Sequence, residues 1–183
     1  MHLTASRLEA GLDHVRNSPS ALGRIELIVR RPAVDEREVL DEGVLDLDEG
    51  LVGDSWKSRG SSRTPDGSAH PDMQLNVINA RLSSLVAVDA DRRPLAGDQL
   101  HLDLDLSQAN LPPGTRLALG SAVIEVTEIP HAGCAKFRAR FGADALRFVN
   151  SPVGRELRLR GLNAKVVVAG TVRQGDDVRK LAP

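Results

Sequence analysis

The chemistry-bearing residues of this chain gather in one short stretch. His131-Ala-Gly-Cys-Ala-Lys-Phe-Arg-Ala-Arg-Phe-Gly142 holds the only cysteine, with Lys136, Arg138 and Arg140 within six residues of it. The strand-like run Ala122–Ile129 stops at Pro130. Phe137, Phe141 and Phe148 then recur at helical spacing, so Gly133 and Cys134 fall at or just before the first turn of a helix. Backbone N–H groups at a helix start are unpaired and carry partial positive charge. A thiolate is stabilised there, and more so beside cations. The same geometry suits a phosphate. Lys136, Arg140 and Arg147 fall on one stripe of the helix, and Arg138 points elsewhere. From the residues alone the thiol is core packing, a nucleophile, a sulfur carrier or a metal ligand.

Several chemistries are disfavoured. A cysteine hydrolase needs a histidine poised as base, and His70, His101 and His131 match no such order or spacing. A structural zinc site wants four nitrogen or sulfur ligands, which one cysteine and scattered histidines do not provide. Neither glycine-rich nucleotide-binding loop occurs. The net charge is -1, so the chain exerts no bulk pull on nucleic acid or on an anionic membrane, and any anion site must be local. Aromatic residues are only 2%, too few for a base-stacking platform. The N-terminus does not read as a secretory signal, and no stretch approaches the roughly 20 apolar residues that span a bilayer. One cysteine forms no internal disulfide and fits a reducing compartment. A soluble cytoplasmic protein with no nucleic-acid or membrane partner is expected.

The elements that must position the thiol are mostly strands. Ile25–Arg30 is a β-branched run stopped by Pro32, and Val34–Leu40 can pair with it. Gln99–Leu106 alternates Leu100, Leu102, Leu104 and Leu106 with His101, Asp103 and Asp105, the pattern of a strand with one wet face. Arg116–Leu119 and Ala122–Ile129 flank Gly120-Ser121 as a hairpin. Lys165–Ala169, Thr171–Arg173 and Val178–Leu181 complete the strands. Three Gly-Asp pairs, at 53–54, 97–98 and 175–176, read as turns. Met73, Val77, Ile78, Leu82, Leu85 and Val86 predict a helix through about residue 87, and residues 57–71 are a long polar loop. One domain is expected, with a core over about 25–180 and a helical extension over 1–20. The fold class is mainly β with peripheral helices, a closed or nearly closed barrel that removes exposed sheet edges.

The Cys134 segment, followed by Asp144-Ala-Leu-Arg-Phe-Val-Asn150 and Arg158-Leu-Arg-Gly-Leu-Asn-Ala164, resembles the MOSC domain, the C-terminal domain type of molybdenum cofactor sulfurases. Glu49-Gly-Leu-Val-Gly-Asp54 resembles that family's glycine-aspartate turn. Leu106-Ser-Gln-Ala-Asn-Leu-Pro112 and Gly114-Thr-Arg-Leu-Ala-Leu-Gly120 resemble a further stretch, and the tail 170–178 resembles its final hairpin. The resemblance spans roughly residues 25 to 180. It implies a MOSC-type barrel in which Cys134 carries sulfur or ligates the molybdenum of a pterin cofactor. Stand-alone relatives reduce N-hydroxylated compounds with that cofactor. Molybdenum takes soft ligands, and a thiolate is soft. The cofactor's phosphate needs cations and N–H donors. Candidates are Lys136, Arg140, His131, Gly133, Arg138 and Arg147, with Lys57, Arg59 and Arg63 closing from the polar loop. Asn110 is a candidate for the pterin edge or a turn residue, and Asp54 for a ligand contact or a turn cap. Pyridoxal phosphate, which the sulfurase holds in a separate domain, is not expected here. A reductase needs an electron-donor protein and a small-molecule substrate. A carrier of Cys134 persulfide needs a sulfur donor. A non-catalytic module for a phosphorylated ligand is the third reading.

Overall fold

Period-two alternation builds the centre of the molecule, whose computed structural model describes residues 2–182. Strand β1 (Leu22–Arg30) carries a bulge between Ile25 and Leu27, where its register against β6 (Leu100–Asp103) slips by one residue. The bulge lets Ile25 and Ile28 both face inward, at 1% and 0% exposure. The remaining barrel strands are β5 (Leu75–Asn79), β7 (Arg116–Leu119), β8 (Ala122–Val126), β9 (Leu162–Val168) and β11 (Asp177–Lys180). Their order is β11-β7-β8-β9-β5-β6-β1, and β1 pairs back to β11, closing a seven-stranded barrel. Among the described residues, only β5 and β6 pair in parallel. Short β2 (Glu38–Leu40) extends the sheet beside β1. A second sheet joins β3 (Glu42–Asp46) to β4 (Gly50–Leu51) and to β10 (Gly170–Arg173).

The barrel is filled by leucine, isoleucine and valine, among them Leu45, Leu75, Val77, Leu100, Leu102, Leu117, Ile124 and Val178. A second core lies under a helical layer: α1 (Ala5–Ala10), α2 (Leu12–Arg16), α4 (Ala80–Ala87), α5 (Ala135–Phe141) and α6 (Ala143–Asn150), with a 3-10 turn at Ala90–Ala96. Leu8, Val15, Leu82, Val86, Phe137, Phe141 and Val149 meet there. Two short helices, α3 (Trp56–Arg59) and α7 (Pro152–Glu156), complete the elements.

Four expectations are corrected. The helix read from Met73 to about residue 87 is a 3-10 turn at Pro71–Met73, then β5, then α4. Leu75 and Val77 fill the barrel, and the Asn79 side chain accepts from the N–H groups of Arg81 and Leu82, so the helix starts only there. The phenylalanine stripe spans two helices, because Gly142 at φ 94 breaks the chain between α5 and α6. The tail forms no hairpin: β10 pairs with β3, while β11 pairs with β1 and β7.

The face of β6 read as wet is covered at His101, which is fully buried, with Nδ1 2.9 Å from the Ser83 hydroxyl of α4. Burial, followed by Arg93 and Arg160, pulls His101 down to about 3. The folded value lies below the unfolded one, so the unfolded state binds the proton more readily as pH falls below about 6.5. His101 therefore supports the fold fully above that pH and progressively less between about 6.5 and 3. Urea unfolding at pH 7, 6 and 5 should show a steeper loss for the wild type than for His101→Asn, by up to about 1.4 kcal/mol per pH unit. Parallel slopes would remove His101 from the acid sensitivity.

Candidate functional site

Cys134 ends the irregular segment after β8 and caps α5 with extended backbone, φ -124 and ψ 179. Its side chain makes no capping hydrogen bond and is exposed to solvent. The backbone just before it is pinned. Asn150, the last residue of α6, accepts from the Gly133 N–H through Oδ1 at 2.9 Å and donates through Nδ2 to the Gly133 carbonyl at 3.1 Å. A Cβ at Gly133 would stand 2.8 Å from Leu146 Cδ1 and 2.9 Å from Val149 Cγ2, so any side chain here would displace those of α6. After the cysteine, Phe137 and Phe141 anchor α5 in the helical core with ring centroids 4.9 Å apart. An open thiol thus sits on a backbone held from both sides.

His131, three residues before Cys134, approaches the Gly97-Asp98 turn. Asp98 is fully buried, and both its oxygens accept from Arg160 Nη1 at 2.8 Å. Arg160 Nη2 donates to the Ala96 carbonyl, and its guanidinium lies 5.1 Å from the Phe137 ring. His131 Nδ1 is 3.5 Å from Asp98 Oδ1, beyond a good hydrogen bond, and has no other partner. Burial pushes the Asp98 carboxyl up, against the pull of Arg160, Arg31 and Arg37. Burial, then Arg160 and Arg31, holds His131 well below its ordinary value, so the imidazole is neutral at pH 7. His131 and Arg160 border a cavity of about 720 Å³, together with Ile129, Asn150, Arg155 and Leu162. Ala132, two residues before Cys134, is also on its wall.

Gly97 belongs to an arginine group. Arg31 is its hub: Nε and Nη2 grip the two oxygens of Asp54 at 2.8 Å, and Nη1 donates to Asn76 Oδ1 and the Gly97 carbonyl at 3.0 Å. A Cβ on Gly97 would lie 3.3 Å from Arg37 Nη2 and 3.5 Å from Arg140 Nη1. Arg140 donates to the Leu95 carbonyl and to Asp35, each at 2.9 Å. Burial, then Arg140 and Arg31, lowers the Arg37 guanidinium; burial, then Arg31, lowers that of Arg59. Arg37 therefore feels both Arg31 and Arg140, and Arg59, whose side chain is exposed, feels Arg31. Arg37 Nε is buried without a partner.

The structure divides the residues singled out from the sequence. Cys134, Gly133 and His131 remain together, while Arg140 and Arg59 join the arginine group. Lys136, Arg138, Lys57 and Arg63 are exposed. The break at Gly142 separates Arg147 from the other cations, and its partner is Asp144, whose carboxylate also caps the Ala5 N–H. Asn110 is a structural clasp: its Nδ2 donates to the carbonyls of Ser20 and Asp105, and its Oδ1 accepts from Lys180. No pterin contact is assigned to it, because its amide is spent on the backbone. The Asp54 carboxylate is likewise spent on Arg31 and on the Trp56 N–H. Arg31, Arg37, Asp98 and Arg160 are not among the residues singled out from the sequence, and Asn150 lies in the stretch that carries the resemblance without an assigned role. Asp98 carried a legible signal, the Gly-Asp pair, but was read as a turn only.

No protein-family model and no curated protein matches the sequence. Solved structures do match. The YuaD protein of Bacillus subtilis superposes with a TM-score of 0.61 at 16% identity, covering 86% of this chain and 94% of that one. YiiM of Escherichia coli gives 0.56 at 18%, covering 87% and 70%. The fold is MOSC-like. A third structure, of a hypothetical protein, gives 0.58 at 21% over 87% and 69%. The MOSC-like barrel is thus set by topology and packing, with little sequence in common. Among the described residues, no helix is long and apolar enough to cross a membrane, and no group of three or more His, Cys, Asp or Glu is placed to hold a metal ion.

Proposed function

We propose that the protein holds a molybdenum–pterin cofactor through the thiolate of Cys134 and reduces N-hydroxylated or N-oxide-type small molecules with electrons from a partner protein. The observation that carries this reading is the open Cys134 thiol on a pinned backbone, two residues after Ala132 of the cavity wall. The donor set fits the group. A thiolate is a soft ligand of the kind molybdenum takes. Arg37, Arg59 and Arg140 offer guanidinium donors to a phosphate, and Arg37 Nε still lacks an acceptor. Asp54 orients Arg31, and Asp35 pairs with Arg140.

When bound, the metal supplies the two-electron reduction of the N–O bond, which takes up two protons and releases water. The chain's own residues fix the thiol, attract the anionic end of the cofactor and keep the cavity beside His131 open to a substrate.

The same exposure of Cys134 suits a sulfur carrier, with a persulfide passed to another protein. Metal analysis separates the two. Protein from cells that make the cofactor should contain about one molybdenum per chain, and Cys134→Ser should lose at least nine-tenths of it at unchanged melting temperature. A cyanolysable sulfur on Cys134 without molybdenum would favour the carrier and contradict the reductase. Cofactor content unchanged by the substitution would contradict both.

A further inference from the structure

We infer that the cavity behind His131 is selective for small molecules with an apolar body and one oxoanion group, a carboxylate or a phosphate. Its volume, about 720 Å³, is that of a small-molecule site. Ile129, Pro130, Val149 and Leu162 supply apolar wall, enough to bury a ring or a short chain. Its unpaired charge is positive. Arg155 and Arg158 line it with Arg160, whose charge Asp98 balances, against the exposed carboxylate of Glu128.

The decisive feature is an arginine at the mouth whose head group no carboxylate or carbonyl of the described residues holds. Arg160 is 7% exposed, and its Nη1 and Nη2 are spent on Asp98 and the Ala96 carbonyl. Its Nε is buried with no partner. His131 Nδ1, on the same wall, is also buried and unpartnered. Both atoms are sealed behind the wall, and His131 Nδ1 has Asp98 Oδ1 3.5 Å away, so an entering anion is met by the arginines nearer the mouth. Arg158 is lowered by burial and holds the Leu111 carbonyl at 2.6 Å, which leaves Arg155, exposed at the rim, as the cation free to meet an entering anion. A neutral amide of the same shape offers one acceptor oxygen and no charge, and an ammonium offers no acceptor at all.

That this ligand is the reducible substrate rests on the molybdenum reading; the anion preference does not. Three probes with a common body test it by calorimetry on the full chain: 2-naphthoate, 2-naphthamide and 2-naphthylmethylammonium. Naphthoate should bind at least tenfold more tightly than the amide, and the ammonium not detectably. Arg155→Gln, at an exposed position, should cut the preference at least threefold without changing the melting temperature. Equal affinities, or no binding of any probe at millimolar concentration, would overturn the inference. Naphthoate binding that persists in protein devoid of molybdenum sustains it even if the molybdenum reading fails. Binding present in cofactor-free protein and abolished in loaded protein would make the cavity the cofactor's own and overturn its assignment to substrate.

Discussion

Asp54→Ala should lower the unfolding free energy by about 3–5 kcal/mol, the cost of leaving one member of a buried ion pair alone. The pair is well inside the protein: the Arg31 side chain is 7% exposed and that of Asp54 is 0%. Solvent therefore does little to screen the loss. Asp54 also accepts from the backbone N–H groups of Arg31 and Trp56, so the substitution strips acceptors from two further donors and loosens the start of α3. Asp54→Asn keeps one carbonyl oxygen for these donors and should cost clearly less. Urea unfolding of the three proteins reads the difference. A loss below about 1 kcal/mol for the alanine variant, the range of an exposed pair, would mean that Arg31 is not the buried hub described here.

The second large effect concerns the arginine group. Arg37→Gln combined with Arg140→Gln should reduce retention of the pterin cofactor through gel filtration at least tenfold. A hydrogen bond to a charged group contributes about 1.5–3 kcal/mol, and two are removed. Neither residue is in the barrel core, and both approach the same glycine, Gly97. The matched control is Lys136→Gln with Arg138→Gln, at exposed positions on the helix that Cys134 caps. Retention there should stay within twofold. If the control pair matters and the Arg37–Arg140 pair does not, the phosphate belongs beside the helix start and not at the Gly97 turn.

The contrast between those two pairs shows what the sequence could convey. Lys136, Arg138 and Arg140 are adjacent in the chain and read as one basic unit. Only Arg140 has a reach and direction that take it to Leu95 and Asp35. Its true companions, Arg31, Arg37 and Arg59, come from the end of β1, the loop before β2 and helix α3, brought together by barrel closure. No periodicity encodes that meeting. The alternation of β6 and the β7–β8 hairpin were legible because one face of each is filled with aliphatic side chains. β5 was not, since Leu75, Val77 and Ile78 suit a helix as well as a strand until the cap at Asn79 is recognised. His101 was misread because a polar residue on an alternating strand looks wet, and the helix that covers it lies elsewhere in the chain. Cys134 stands out through its neighbours, which leave its role open between packing and chemistry, and the structure leaves the thiol exposed.

The most direct test of Cys134 as the metal ligand is its reactivity. Protein from cells unable to make the cofactor should be alkylated by iodoacetamide at Cys134, as an exposed thiol would be. Protein from cofactor-producing cells should be protected, and mass spectrometry should show the unmodified residue until the metal is stripped. Equal alkylation of both preparations, with molybdenum present in one of them, would contradict the account.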